Sequence, residues 1–98
     1  MRKTKIVCTI GPATKSEDMM KKLIEHGMNV ARFNFSHGNY EYHKECLETL
    51  RKAAAELKLP VASMMDTKGP EVRLGRFVDD KPVEIKNGDI YTLTTENC

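Results

Sequence analysis

The sequence predicts an α/β fold with parallel strands, and three observations carry that expectation. Short apolar runs at 5–10, 28–35 and 61–66 alternate with two segments whose apolar residues repeat at helical period. The connections between these segments are short, which suits strands joined by crossover helices, either in an open doubly wound sheet or in a (β/α) barrel. After Pro70 the helical pattern stops and only strand and turn signals remain, so a domain boundary is expected between residues 69 and 70.

The first strand reads Lys5-Ile6-Val7-Cys8-Thr9-Ile10 and ends at Gly11-Pro12. Ser16 is placed to cap a helix, with Glu17 and Asp18 at the positive end of its dipole. Met19, Met20, Leu23 and Ile24 form its apolar stripe, Gly27 its C-cap, and His26 a cation at its C-terminal end. The second strand is expected over Met28 to Phe35. Gly38 and Asn39 begin a second helix whose inward stripe is His43, Cys46, Leu47, Leu50, Ala53, Ala54 and Leu57. Pro60 ends it, and the third strand follows from Val61 to Asp66. Beyond Pro70, strands are expected at Glu71–Phe77, Val83–Ile85 and Ile90–Thr94, with turns at Val78–Lys81 and Asn87-Gly88.

Composition limits the function classes. The 98 residues carry 16 Lys and Arg against 14 Asp and Glu, a net charge of +2, and 40% are hydrophobic. This near-balance argues against a dedicated nucleic-acid binder, which shows a basic stripe or tail. Three cysteines at 8, 46 and 98, without a C-x-x-C pair, argue against a disulfide framework or zinc site and suit a reducing cytoplasm. Met1-Arg2-Lys3 imitates the start of a signal peptide, but the apolar run after it is too short, and no stretch approaches a membrane span of about 20 apolar residues.

The second strand carries the chemistry. Alternation puts Arg32, Asn34 and, if the strand persists, Ser36 on one face, with Ala31, Phe33 and Phe35 on the other. A polar row at the carboxyl end of a strand is where α/β folds bind ligands, and an arginine there suits a phosphate or a carboxylate. An internal partner such as Asp66 is an equally good reading for Arg32. In the third strand Ala62, Met64 and Asp66 share a parity that brings Asp66 toward the same row. Asn, Ser and Asp oxygens together suit a hard cation, and a single carboxylate among neutral oxygens suits a monovalent one. Lys68 and Arg73 flank Gly69-Pro70 at the domain junction, where they reach a nucleotide phosphate or remain solvated. His37, beside Gly38, is placed to stack on or hydrogen-bond a ligand. The pairs Met19-Met20 and Met64-Met65 read as core.

Three segments, Lys5 to Ala13, Gly27 to Gly38 and Asp66 to Arg73, closely resemble the N-terminal part of the pyruvate kinase family. The resemblance extends over essentially the whole chain, and a start of the first strand so near Met1 suggests a bacterial form. It implies the first three strands and two helices of a (β/α)8 TIM barrel at 1–69 and the start of an inserted small all-β domain at 70–98. It implies that Arg32 contacts the transferred phosphoryl group as a catalytic and substrate-binding residue. Asn34, Ser36, Asp66 and the carbonyl of Thr67 would hold potassium. Asn34, His37 and Arg73 would serve the nucleotide, and Glu71 would mark potassium dependence, since some potassium-independent members carry lysine there. Phe33 departs from the more usual leucine, on the helix-facing side.

The implied reaction is glycolytic phosphoryl transfer from phosphoenolpyruvate to ADP, giving pyruvate and ATP, with K⁺ and Mg²⁺ as cofactors in a cytoplasmic homotetramer. A (β/α)8 barrel needs about 250 residues, so the chain reads as an N-terminal fragment, with the catalytic lysine and the magnesium ligands outside it. Alone it is expected to be inactive and, with one sheet face open, poorly packed. The alternative is a stand-alone α/β module that binds a phosphate or a cation without catalysis.

Overall fold

The computed structural model describes residues 3–96. Three strands, β1 (Ile6–Thr9), β2 (Met28–Asn34) and β3 (Ala62–Asp66), alternate with two helices, α1 (Glu17–Glu25) and α2 (Tyr40–Leu57). The sheet order is β1-β2-β3 and both pairings are parallel, as the strand-helix alternation requires. Register pairs Thr9 with Arg32, Arg32 with Met64, and Asn34 with Asp66. The ladder shifts between Ile6 and Val7, and the Asn29 side chain compensates by accepting from the Ile6 N–H at 2.8 Å.

Both helices start where capping chemistry directs. Ser16 accepts from the Met19 N–H, with Glu17 and Asp18 in the first turn. Asn39 accepts from the Tyr42 N–H at 2.9 Å. The first helix ends at His26, which donates from Nδ1 to the Lys22 carbonyl at 2.7 Å, and Gly27 follows at φ 106°.

The core lies between the helices and one face of the sheet. Met20 and Ile24 of α1, Cys46, Leu50 and Ala53 of α2, Met28, Ala31 and Phe33 of β2, and Ile10 just past β1 are buried together. Phe33 and Ala31 therefore face the helices, and Arg32 lies on the opposite face, as strand alternation demands. The two helices are also joined by charge. Lys21 pairs with Glu17 at 2.6 Å and Glu56 at 2.5 Å, while Lys52 reaches Glu17 at 2.7 Å.

Several expectations require correction. No strand forms among the described residues after Asp66, so the three predicted at 71–94 are absent. The predicted turns do appear, as a 3-10 turn at Val78–Asp80 and as an Asp89 N–H to Lys86 carbonyl bond of 3.1 Å beside Gly88. Turns close on local hydrogen bonds, whereas strands need a laddered partner, and two strands alone are marginal. Residues 72–93 instead expose Val72, Leu74, Ile85, Ile90 and Leu93. This segment extends the molecule to a radius of gyration of 18.1 Å, against about 13 Å for a compact chain of this length. Among the methionine pairs only Met20 is core. Met64 and Met65 lie on an edge strand and are 39% and 63% exposed. The second strand stops at Asn34, so Ser36 enters the row through a turn and not by strand alternation. Cys98 lies outside the described residues.

Candidate functional site at the strand ends

Arg32 is the centre of the site. Its Nε donates to Asp66 Oδ2 at 2.9 Å, its Nη2 donates to the same oxygen, and its Nη1 donates to Thr9 Oγ1 at 2.9 Å. One guanidinium thus ties all three strands together on the face away from the helices. Its side chain is 29% exposed and that of Asp66 is 45% exposed. The pair is therefore partly solvated and contributes modestly to stability, about 1 kcal/mol or less. A guanidinium has five N–H donors in a planar fork. Three are engaged here, leaving two for an anion without loss of the Asp66 contact.

The neighbouring oxygens are organised by the end of β2. Asn34 pairs in register with Asp66, and its Oδ1 accepts from the Ser36 N–H at 3.1 Å. The Asp66 carbonyl accepts from the Phe35 N–H at 2.9 Å, and the Asn34 carbonyl accepts from His37 N–H at 3.2 Å. These bonds hold Asn34, Ser36 and Asp66 at one mouth, with Thr67 next in the chain. Asn34 Oδ1 and Asp66 Oδ2 are already engaged, by the Ser36 N–H and by Arg32, and the donor set of hard oxygens with one carboxylate matches a monovalent cation in type. Among the described residues no group of three or more His, Cys, Asp or Glu side chains is gathered to hold a metal ion.

The remaining predicted residues lie outside this hydrogen-bonded group. His37 is exposed in the loop between β2 and α2. Arg73 and Lys68 are gathered by Glu71, whose two carboxylate oxygens take Lys68 Nζ at 3.1 Å and Arg73 Nη2 at 3.0 Å. They form a second group, without an ion pair to Arg32 or Asp66 among the described residues. A cleft of 470 Å³ opens at this end between Phe35, Gly38 and His43 on one side and Met65, Thr67 and Lys68 on the other.

Two contributors were not legible as site residues. Thr9 reads from sequence as the end of an apolar strand, and only the parallel register with Arg32 reveals its contact. The parity of a polar residue at the carboxyl end of β1 is the signal that would have found it. His43 reads as part of a core stripe, and it is buried, but its Nε2 donates to the His37 carbonyl at 2.7 Å. Burial pushes the hydroxyl of the neighbouring Tyr42 up, helped by the Cys46 thiol. Burial likewise pushes the Cys46 thiol up.

Parallel β-α units with an arginine and oxygen donors at the carboxyl ends of adjacent strands define a mixed α/β protein, with its polar residues where such folds place ligand sites. Comparison with known proteins narrows that class. The family model described as the pyruvate kinase barrel domain matches residues 1–98, and the chain belongs to the pyruvate kinase family. It is 54% identical over 94 residues to a probable pyruvate kinase, cytosolic isozyme, of Arabidopsis thaliana, covering 96% of this chain and 19% of that protein. It is 56% identical over 89 residues to a pyruvate kinase of Staphylococcus aureus (strain USA300), covering 91% of this chain and 15% of that protein. A pyruvate kinase of Chlamydia muridarum is 49% identical over 94 residues. The chain thus spans about a fifth or less of the length of these relatives. Plant and bacterial relatives match at similar identity, so these comparisons do not single out a bacterial form.

Proposed function

We propose that this chain is the segment of a pyruvate kinase that supplies the phosphoryl-binding arginine and the monovalent-cation donors. The whole protein then transfers phosphate from phosphoenolpyruvate to ADP, yielding pyruvate and ATP. The observation that carries this reading is the Arg32 guanidinium, fixed by Asp66 and Thr9 with two donors to spare, within a chain of this family. Phosphoryl transfer is mostly positioning and charge neutralisation. Arg32 meets both needs, because its fork is already oriented before an anion arrives.

Asn34, Ser36, Asp66 and the Thr67 carbonyl would hold potassium, which supplies fixed positive charge beside the transferring group. Asn34, His37 and Arg73 serve the nucleotide, and Glu71, which also gathers Lys68 and Arg73, marks potassium dependence. Magnesium and the catalytic lysine belong to parts of the protein beyond these 98 residues, so the isolated chain is inactive. In this reading the chain divides between residues 69 and 70, with an inserted β domain starting after the third strand of a (β/α)8 barrel. The cytosolic isozymes among the relatives support a cytoplasmic location, and among the described residues no helix is long and apolar enough to cross a membrane. The full-length protein is a homotetramer in this reading.

A coupled assay of pyruvate release tests it. The full-length protein turns over phosphoenolpyruvate and ADP in a potassium-dependent manner, and the isolated chain gives no rate above blank. A phosphoenolpyruvate titration separates the binding-module alternative: affinity in the isolated chain favours the module, and affinity that needs the rest of the protein favours the enzyme.

A further inference from the structure

We propose that His43 is the positioning residue of the loop between β2 and α2, holding Ser36 and His37 where the cation and the nucleotide need them; this rests on the function proposed above. His43 lies in the first turns of α2 and is 6% exposed. Its ring stacks on Phe35, with centroids 4.2 Å apart and planes 16° apart, and meets Phe33 edge-on at 6.4 Å. Only one of its two nitrogens has a partner. Nδ1 is buried without one, and Nε2 lies 2.7 Å from the His37 carbonyl. A carbonyl can only accept, so Nε2 carries the hydrogen.

The backbone folds directly over this ring. Gly38 has φ +74°, and a Cβ there would sit 3.0 Å from Tyr42 Cδ1 and 3.3 Å from His43 Nε2. The loop is otherwise tied to the strand ends, through Asn34 Oδ1 to Ser36 N–H, the Asn34 carbonyl to His37 N–H and the Asp66 carbonyl to Phe35 N–H. Among the described residues, the His43 bond is the side-chain hydrogen bond that fixes residues 35–38 to α2. Stacking alone does not call for histidine, because phenylalanine would also stack on Phe35, although its larger ring would press on the His37 carbonyl. What histidine adds is a donor in a partly buried setting, where the His37 carbonyl would otherwise lose its side-chain partner.

The test uses the full-length protein carrying this segment, with His43→Phe and His43→Gln compared to wild type. Hydrogen exchange of the amides at 36–38, the half-saturating K⁺ concentration, the KM for ADP and the thermal midpoint are measured together. H43F exchanges faster at 36–38 and raises half-saturating K⁺ and the KM for ADP by about tenfold, the value of one lost hydrogen bond, with a smaller effect on kcat. H43Q, which keeps an N–H donor, recovers most of the loss. Unchanged exchange in H43F, or faster exchange with unchanged K⁺ and ADP dependence, overturns the proposal, as does equal damage in both variants. A wild-type protein without K⁺ activation defeats the cation reading instead, and exchange with the KM for ADP then still decides the role of His43.

Discussion

Arg32 and Asp66, 34 residues apart in sequence, meet across β2 and β3 with Nε 2.9 Å from Oδ2. The same guanidinium reaches back to Thr9 at 2.9 Å. Three strand ends are therefore joined by one planar group, and its orientation is set before any anion binds.

Replacement of that fork is expected to be costly. Arg32→Lys keeps the charge but cannot reach Asp66 and Thr9 while offering a bidentate face. In the full-length protein it should lower kcat by about 100-fold or more, the scale of losing an oriented donor to developing charge. Thr9→Val, which removes only the acceptor on Nη1, should cost less, and steady-state kinetics of both variants checks the order.

The charge network between the helices predicts an acid sensitivity. Hydrogen bonds from Lys21 and then Lys52 hold the Glu17 carboxyl below the ordinary glutamate range. A lowered folded-state value means this stabilisation is present above the unfolded-state value and is lost as pH falls through the folded one. The thermal midpoint of wild type should therefore fall more between pH 6 and pH 3 than that of Glu17→Gln. High salt should narrow the difference, since the groups are near solvent.

Cys46 should be a poor nucleophile. It is 1% exposed, and burial disfavours its thiolate. Of the two described cysteines, alkylation should label the partly exposed Cys8 before Cys46, reaching Cys46 only as the protein unfolds; peptide mapping of labelled cysteines reads the order.

Leu50 is 2% exposed between the helices and the sheet. Leu50→Ala should destabilise the fold by roughly 2–4 kcal/mol through lost burial and a residual cavity, measured as a shift in denaturant midpoint.

The sheet predicts the behaviour of the isolated chain. Val7 is 51% exposed and Met65 63%, yet parallel strands are normally covered on both faces. The 98-residue chain should bind a hydrophobic dye and give poorly dispersed amide resonances. A sharp, dispersed spectrum from a soluble monomer would contradict this.

Much of the architecture was readable because it depends on local rules. Ser16 and Asn39 cap helices wherever an amphipathic stripe follows, and Phe33 and Arg32 must face opposite ways on any strand. Asp66 could be brought to the Arg32 row by parity alone. The expected strands after Pro70 failed for the opposite reason. Val83–Ile85 and Ile90–Thr94 have the right alternation and a turn between them, but alternation supplies no ladder partner, and the structure leaves these side chains in solvent.

The order of strands and helices, the two caps, the buried stripe of α2 and the polar face of β2 were settled by the sequence itself, because side-chain periodicity and backbone capping act over a few residues. Tertiary structure alone decided that Thr9 shares the Arg32 guanidinium, that His43 serves the His37 carbonyl, and that Ser36 comes to the mouth by a turn. Those contacts depend on register between strands and on how a helix lies over a loop, which no single segment encodes.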